Sequence, residues 1–303
     1  MPSNQSPLGA LPARFRRERL LIVGCGDVGM RVAMAMPRGT RLLALTSNPQ
    51  RTAELRQQGI APLLGNLDDA KSLKPLAGLG TRILYLAPPP AMGSADPRIL
   101  ALLRALRGRS LPAALVYGST SGVYGDCAGE WVTETRAVRP ATARAQRRVD
   151  AERTVRWWGR SGGVRSSVLR IPGIYAANRE GGDPRERVRK GTPVLQASED
   201  VYTNHIHADD LARACIAALW RAAPQRVYHA SDDTQMKMGD YLDAVASIAG
   251  LPLPPRITRA QAEMELSPMT LSFWSESRRL DNRRFKTELR VRLRYPAVQS
   301  GLA

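Results

Sequence analysis

Short apolar runs recur along this chain, and between them apolar residues fall every three or four positions. The runs Leu20–Val23, Leu42–Leu45, Ala61–Leu64, Ile83–Leu86, Ala114–Tyr117 and Val168–Ile171 are continuous rather than alternating. A strand covered on both faces has no solvent side, so such runs predict a parallel sheet packed between helices. Helices are predicted after Gly29, Pro49, Asp68, Pro97 and Pro140. In the first, Val28, Val32 and Met36 form one stripe, and Pro37 stops it because proline lacks the N–H a helix needs. Asp209 and Asp210 open a later helix striped by Leu211, Cys215 and Leu219, where early acids suit the helix dipole. One more strand is expected at Arg226–His229, followed over 231–303 by helical segments between proline-rich connections such as Leu251–Pro255. Residues 1–18, rich in Pro, Ser and Arg and without periodicity, read as a flexible tail.

Between the first strand and the first helix stands Gly24-Cys25-Gly26-Asp27-Val28-Gly29. Gly24 permits a tight turn, Gly26 leaves room for a pyrophosphate, and Gly29 lets helix and strand pack closely. The helix N-terminus then offers free N–H groups to the anion. In this context the turn predicts a Rossmann-type doubly wound parallel sheet of the α/β class, with strand order 3-2-1-4-5-6 and a smaller C-terminal substrate lobe. The dinucleotide-binding domain is expected over 19–174, with 205–230 returning to it, and the smaller lobe over 175–204 and 231–303. Cofactor choice is written at the end of the second strand. Thr46, Ser47 and Arg51 stand there with no acid before Glu54. A ribose 2′-hydroxyl wants a carboxylate, whereas hydroxyls and an arginine suit a 2′-phosphate, so NADP is expected over NAD.

The formal net charge of +18 changes the picture little. Only five of the 45 basic residues are lysine, and the arginines are spread along the chain without a recognition-helix pattern, so a solvated basic surface is expected and nucleic-acid binding is not. Cys25, Cys127 and Cys215 have neither metal nor disulfide spacing, which suits reduced thiols in the cytoplasm. His205 and His207 would project to one face of a strand, but no further ligand has suitable spacing and no metal is expected. The run after Arg19 imitates a signal peptide until Asp27 interrupts it, and no segment reaches the roughly 20 apolar residues of a membrane span.

Six further segments, in order, resemble the extended short-chain dehydrogenase/reductase family, the NAD-dependent epimerase/dehydratase group. They are Gly65-Asn66-Leu67, Leu86-Ala87-Pro88-Pro89, Tyr117–Asp126, Arg170–Tyr175, Asn204–Asp210, and Ser277–Asn282 with Lys286, Glu288 and Leu289. The resemblance implies that Asn66 and Leu67 lie against the adenine and that Ala87, Pro88 and Pro89 line the cofactor. It sets Pro172 and Ile174 beside the nicotinamide, and Thr120 at the family's catalytic Ser/Thr. His207, Asp209 and Asp210 become a structural helix start. A small-molecule substrate of the nucleotide-sugar kind is implied, and a homodimer is compatible.

The chain departs from the family where chemistry is done. Family members carry Tyr-x-x-x-Lys on the helix after the Val-Tyr-Gly segment, the lysine charge lowering the tyrosine pKa for proton relay. Anchored on Glu152, that helix has Arg144 at the Tyr position and Arg148 at the Lys position. Arg148 can still bond ribose hydroxyls, but a guanidinium cannot replace a phenol as acid and base. Tyr124, Tyr175 and His205 are the candidate substitutes. Two functions follow as expectations. One is an NAD(P)-binding oxidoreductase, epimerase- or dehydratase-like, with a non-standard catalytic site. The alternative is a non-catalytic NADP-binding sensor or interaction module.

Overall fold

Seven apolar runs form a single parallel sheet in a computed structural model that describes residues 18–266, 271–272 and 274–302. The strands are β1 (Arg19–Val23), β2 (Arg41–Thr46), β3 (Ala61–Leu64), β4 (Arg82–Tyr85), β5 (Ala114–Thr120), β6 (Arg165–Ile171) and β7 (Arg226–His229). Their order is 3-2-1-4-5-6-7, the expected arrangement with β7 added beyond β6. Reversal of direction at β1 opens a crevice between β1 and β4 at the carboxyl ends of the strands, where open α/β sheets bind ligands.

Alternation across the strands divides the core in two. Leu20 and Ile22 face α1 (Asp27–Ala35), while Leu21 and Val23 face the other side, and all four are inaccessible to solvent. On the β3 side, α2 (Arg51–Gln57) buries Leu55. The second layer is α3 (Pro97–Leu106) and α4 (Ala143–Gly162). Asp96 accepts from the N–H groups of Arg98 and Ile99 to start α3, and Thr142 accepts from that of Ala145 to start α4. Gly163 ends α4 with a left-handed φ of 65°.

After β6 the chain crosses into the second lobe. There α5 (Pro184–Arg189) lies before α6 (Ala208–Arg221), which returns to pack on α1 and carries the chain back to β7. The lobe is completed by α7 (Met238–Ala249), α8 (Arg259–Glu265) and α10 (Val298–Leu302), whereas α9 (Arg283–Glu288), expected in the lobe, packs Phe285 back onto the sheet core beside β7. Its core joins Tyr175 and Val188 to Tyr241, Leu242, Val245 and Leu302. Short parallel pairs knit the lobes, among them Gly173–Tyr175 with His205–His207 and Trp131–Val132 with Arg279–Leu280.

Two local expectations are corrected. Instead of a helix after Asp68 there is only a 3-10 turn, Lys74–Leu76. Asp69 Oδ1 accepts from the Lys71 N–H and Ser72 Oγ from that of Asn66, so side chains compete for the donors, and Pro75 supplies none. Strand β4 stops at Tyr85, not Leu86, because the N–H groups of Leu86 and Ala87 both turn onto the Val23 carbonyl, at 2.7 and 3.1 Å. Among the described residues no helix is long and apolar enough to cross a membrane. The expected tail over 1–17 lies outside the described residues.

Candidate cofactor and substrate cleft

The glycine turn is built as its sequence requires. Gly24 has φ +89°, and a Cβ there would stand 2.4 Å from the Ala87 nitrogen, so no other residue fits. A Cβ on Gly29 would meet the Gly24 carbonyl oxygen at 3.1 Å and Ile22 at 3.2 Å, which is the close strand–helix packing. Among the described residues nothing lies within 4 Å of where a Gly26 Cβ would stand. Among the described residues no side chain caps the N-terminus of α1, whose first N–H groups are therefore open to an anion. This open cradle fits a dinucleotide pyrophosphate. Asp27 would repel phosphate were it unpaired, but Arg31 and Arg179 each hold it at 3.1 Å. Arg31 also binds Asp209 at the start of α6 and Asn178.

From this turn a cleft of about 970 Å³ runs past the ends of β5 and β6 into the second lobe. Of the residues singled out from the sequence, Gly24, Gly26, Asp27, Val28, Gly29, Thr120, Arg148, Pro172, Ile174, Tyr175 and His205 line it, as does Arg144. Thr46, Ser47, Arg51, Asn66, Leu67, Ala87, Pro88, Pro89 and Tyr124 do not. Most of those belong to the expected adenine end, which is open surface around β2 and β3. Arg51 nevertheless reaches the turn, donating to the Cys25 carbonyl at 2.9 Å. Thr46 accepts from the Asn48 N–H, and Asn66 Oδ1 from the Asp68 N–H, so both side chains shape turns. Ala87 is buried against Gly24, leaving Leu86 as the residue of its segment that lines the cleft.

At the centre, Arg148 donates to the Gly118 carbonyl at 2.7 Å and to the Tyr117 hydroxyl at 3.1 Å. Helix α4 thus presents a fixed positive charge beside the end of β5. Thr120 Oγ accepts from the Gly122 N–H. Behind them lies a buried polar network. Glu152 takes two hydrogen bonds from Arg170, at 3.1 and 2.6 Å, and one from Ser119 at 2.5 Å. Arg170 also donates to the Tyr124 hydroxyl at 2.6 Å. His229 Nδ1 faces the Asp281 carbonyl at 2.9 Å and must donate to it, so Nε2 accepts from Tyr124 at 2.5 Å.

These contacts revise the list of candidate acids. Tyr124 is walled off from the cleft, its hydroxyl engaged in that network and its pKa pushed up to about 12 by burial. Tyr175 shows the cleft its ring, while its hydroxyl donates to the Ala297 carbonyl at 3.3 Å and burial raises its pKa above the ordinary value. His205 lines the cleft, stacked on Tyr241 with ring centroids 3.7 Å apart. Burial, with the nearby Arg187 charge, lowers its pKa to about 3, so the ring is neutral. His207 caps α6, accepting from the Asp209 N–H, and buried Asp210 accepts from the N–H groups of Arg294 and Tyr295.

Sequence reasoning missed most of the cleft residues in the second lobe, among them Arg179, Arg187 and Tyr241. Arg187 lies in the run Arg185-Glu186-Arg187-Val188-Arg189-Lys190, which reads as a solvated basic face. Tyr241 reads as an ordinary core position of an apolar helix. A tertiary contact is what distinguishes each.

A glycine turn on the first strand of a parallel sheet, opening into a cleft shared with a second lobe, defines a dinucleotide-binding α/β protein. The NAD dependent epimerase/dehydratase family matches over residues 98–230, and that stretch of the chain is similar to it. A conserved protein of unknown function from Silicibacter pomeroyi superposes with a TM-score of 0.79 at 32% identity, over 94% of this chain and 96% of that one. UDP-glucose 4-epimerase from Thermotoga maritima, solved with UDP-glucose, gives 0.76 at 17% identity over 94% and 96%. UDP-glucuronic acid 4-epimerase from Bacillus cereus, solved with UDP-glucuronic acid and NAD, gives 0.73 at 16% over the same shares. At those two identities the likeness is one of fold. No curated protein sequence matches the chain.

Proposed function

We propose that the protein is an NADP-dependent oxidoreductase of the epimerase/dehydratase kind whose site works without the Tyr-Lys pair. The observation that carries this is the unbroken cleft from the glycine turn, past Thr120 and Arg148, into the second lobe. Gly24, Gly26 and Gly29, with the N–H groups at Asp27 and Val28, hold the pyrophosphate. Thr46, Ser47 and Arg51 face the adenosine 2′-phosphate, Asn66 and Leu67 the adenine, and Ala87, Pro88 and Pro89 back the turn. Pro172 and Ile174 border the nicotinamide, which when bound exchanges hydride with the substrate. Arg148 keeps a positive charge near the ribose. Thr120 polarises a substrate carbonyl, and the substrate is a small molecule of the nucleotide-sugar kind.

A second reading, an NADP-binding sensor that does no chemistry, is favoured by one set of contacts. The hydroxyls of Tyr124 and Tyr175 are engaged away from the cleft, and His205 is held neutral. General acid–base help is worth about 10²–10⁴-fold in rate, so its loss leaves little turnover. The experiment compares the wild type with the Arg144→Tyr/Arg148→Lys double variant on a panel of sugar nucleotides with NADPH and NADH. The enzyme reading expects slow NADP-linked turnover by the wild type and faster turnover by the double variant. Binding of NADPH with no turnover by either form supports the sensor.

A further inference from the structure

We infer that the end of the cleft away from the glycine turn is an anion subsite, in which Arg187, Tyr241 and His205 receive a carboxylate or phosphate group of the substrate. The inference rests on the reading that the cleft takes a substrate beside the cofactor. All three residues line the cleft, and they come from three different elements, α5, α7 and the strand His205–His207.

Each of the three lacks the partner its burial calls for. Arg187 is half-buried, and among the described residues its guanidinium makes one hydrogen bond, to the Met238 sulfur at 3.8 Å. No carboxylate pairs with it among the described residues. Two acids of the same segment line the cleft, and neither forms an ion pair with Arg187: Asp183 is taken by Arg185 at 2.9 Å and Arg189 at 3.9 Å, and Glu186, its neighbour in sequence, is not within salt-bridge distance of it. The Tyr241 hydroxyl and His205 Nδ1 are buried without a hydrogen-bond partner among the described residues. His205 is 8% exposed and Tyr241 2%. A buried polar group left unpaired costs about 1–3 kcal/mol, and more when charged, so native folds hold few of them. Two such groups in one cleft wall, beside a cation with no carboxylate partner among the described residues, call for a ligand that satisfies them together.

Their chemistry specifies that ligand. Arg187 can only donate. The Thr203 hydroxyl lies 3.4 Å from His205 Nε2; when it donates there, the ring proton sits on Nδ1 and that edge donates too. The Tyr241 hydroxyl, which has no acceptor among the described residues, is available as a donor. Three donors, one carrying full charge, are matched by a compact oxyanion and not by a neutral hydroxyl or amide. Burial lowers the Arg187 pKa, the mark of a cation without its counter-ion. The site is separate from the glycine turn, which belongs to α1 at the opposite end.

The test titrates the full chain, with and without saturating NADPH, with inorganic phosphate and separately with malonate. Heat of binding and the nitrogen resonance of His205 Nδ1 are read together. One anion is expected to bind and to shift that resonance, and the tighter of the two identifies phosphate or carboxylate as the recognised group. Arg187→Gln should weaken binding about tenfold or more, and Arg187→Lys should recover part of it. Tyr241→Phe, which keeps the stacked ring and the fold, should weaken it several-fold. NADPH affinity should not change in any variant. Anion binding in a protein that fails to bind NADPH would leave the subsite standing and remove the cofactor reading instead. The inference is overturned if neither anion binds, or if Arg187→Gln and Tyr241→Phe bind as well as the wild type.

Discussion

Gly26 shows how one absent side chain can set a binding site. Its φ of −83° is open to any residue, and no atom stands within 4 Å of where a Cβ would be. Gly26→Val should therefore fold normally and yet lose dinucleotide binding, because the branched side chain fills only the pyrophosphate space. An unchanged circular dichroism spectrum with unchanged NADPH titration would show that the cradle serves something else. Arg51 allows a finer test. Its guanidinium already sits on the turn, against the Cys25 carbonyl, with exposed Glu54 as its one charged partner among the described residues, at 3.2 Å. If it also meets the 2′-phosphate, Arg51→Ala should cost NADPH about 1.5–3 kcal/mol, roughly tenfold or more, and leave NADH unaffected. Equal losses for both cofactors would count against that role.

At the scale of elements, the buried network ties α4 to three neighbouring strands. Glu152 and Arg170 are both about 5% exposed and pair in a bidentate arrangement. Replacing such a pair by apolar residues can be neutral, but removing one partner strands a charge. Glu152→Ala should therefore destabilise the protein by about 3–5 kcal/mol in denaturant titrations, most of it from the uncompensated Arg170. A loss under about 1 kcal/mol, the size of an exposed pair, would mean that water reaches Arg170. Elements with steric or periodic causes were readable from the chain alone. The continuous strands, the glycine turn, and the start of α6 under Asp209 and Asp210 all announce themselves locally. The network was not readable. Tyr124 belongs to a Val-Tyr-Gly segment that draws attention as chemistry, and only the approach of Arg170 and His229 makes it a structural residue. The helix expected after Asp68 failed for a local reason, since Asp69 and Ser72 offer the backbone an alternative to helical bonding. Arg187 failed for the opposite reason: five of its near neighbours in sequence are polar, and its burial comes from α7.

For the whole molecule, buried titratable groups make stability depend on pH in two opposed ways. His205 and His229 have pKa values lowered to about 3 by burial. An unfolded chain takes up their protons near pH 6.5 while the folded one refuses them, so stability falls as pH drops from 6.5 toward 3. Burial pushes Asp232 up to about 8. Its folded carboxyl keeps a proton that the unfolded chain releases above about pH 4, so this contribution falls as pH rises from 4 to 8. Burial raises Asp96, Asp200 and Glu134 as well, in the same sense. Each fully shifted group contributes at most about 1.4 kcal/mol per pH unit within its window. Stability should peak near pH 6.5, and Asp232→Asn should flatten the alkaline limb while leaving the acid limb in place. Denaturant midpoints measured from pH 4 to 9 would test this. An alkaline limb unchanged by the substitution would place the Asp232 proton elsewhere.

The route of the chain has a consequence for how the protein is made. Helix α6 and strand β7 belong to the same layers as α1 and β6, yet they are translated after the excursion through 175–204. A nascent chain that has emerged only to residue 204 carries every glycine of the turn. It still lacks Leu211, Cys215 and Leu219, which cover Val28 and Val32 of α1, and the strand that pairs with the outer edge of β6. Phe285 and Leu289, which join the same core, arrive later still. Apolar surface and an open strand edge remain exposed on the ribosome until β7 has emerged, the condition that recruits chaperones. Fragments that stop short of β7 should accumulate as aggregate rather than as a small cofactor-binding domain. Cofactor uptake by this chain is then a sign that translation has passed β7.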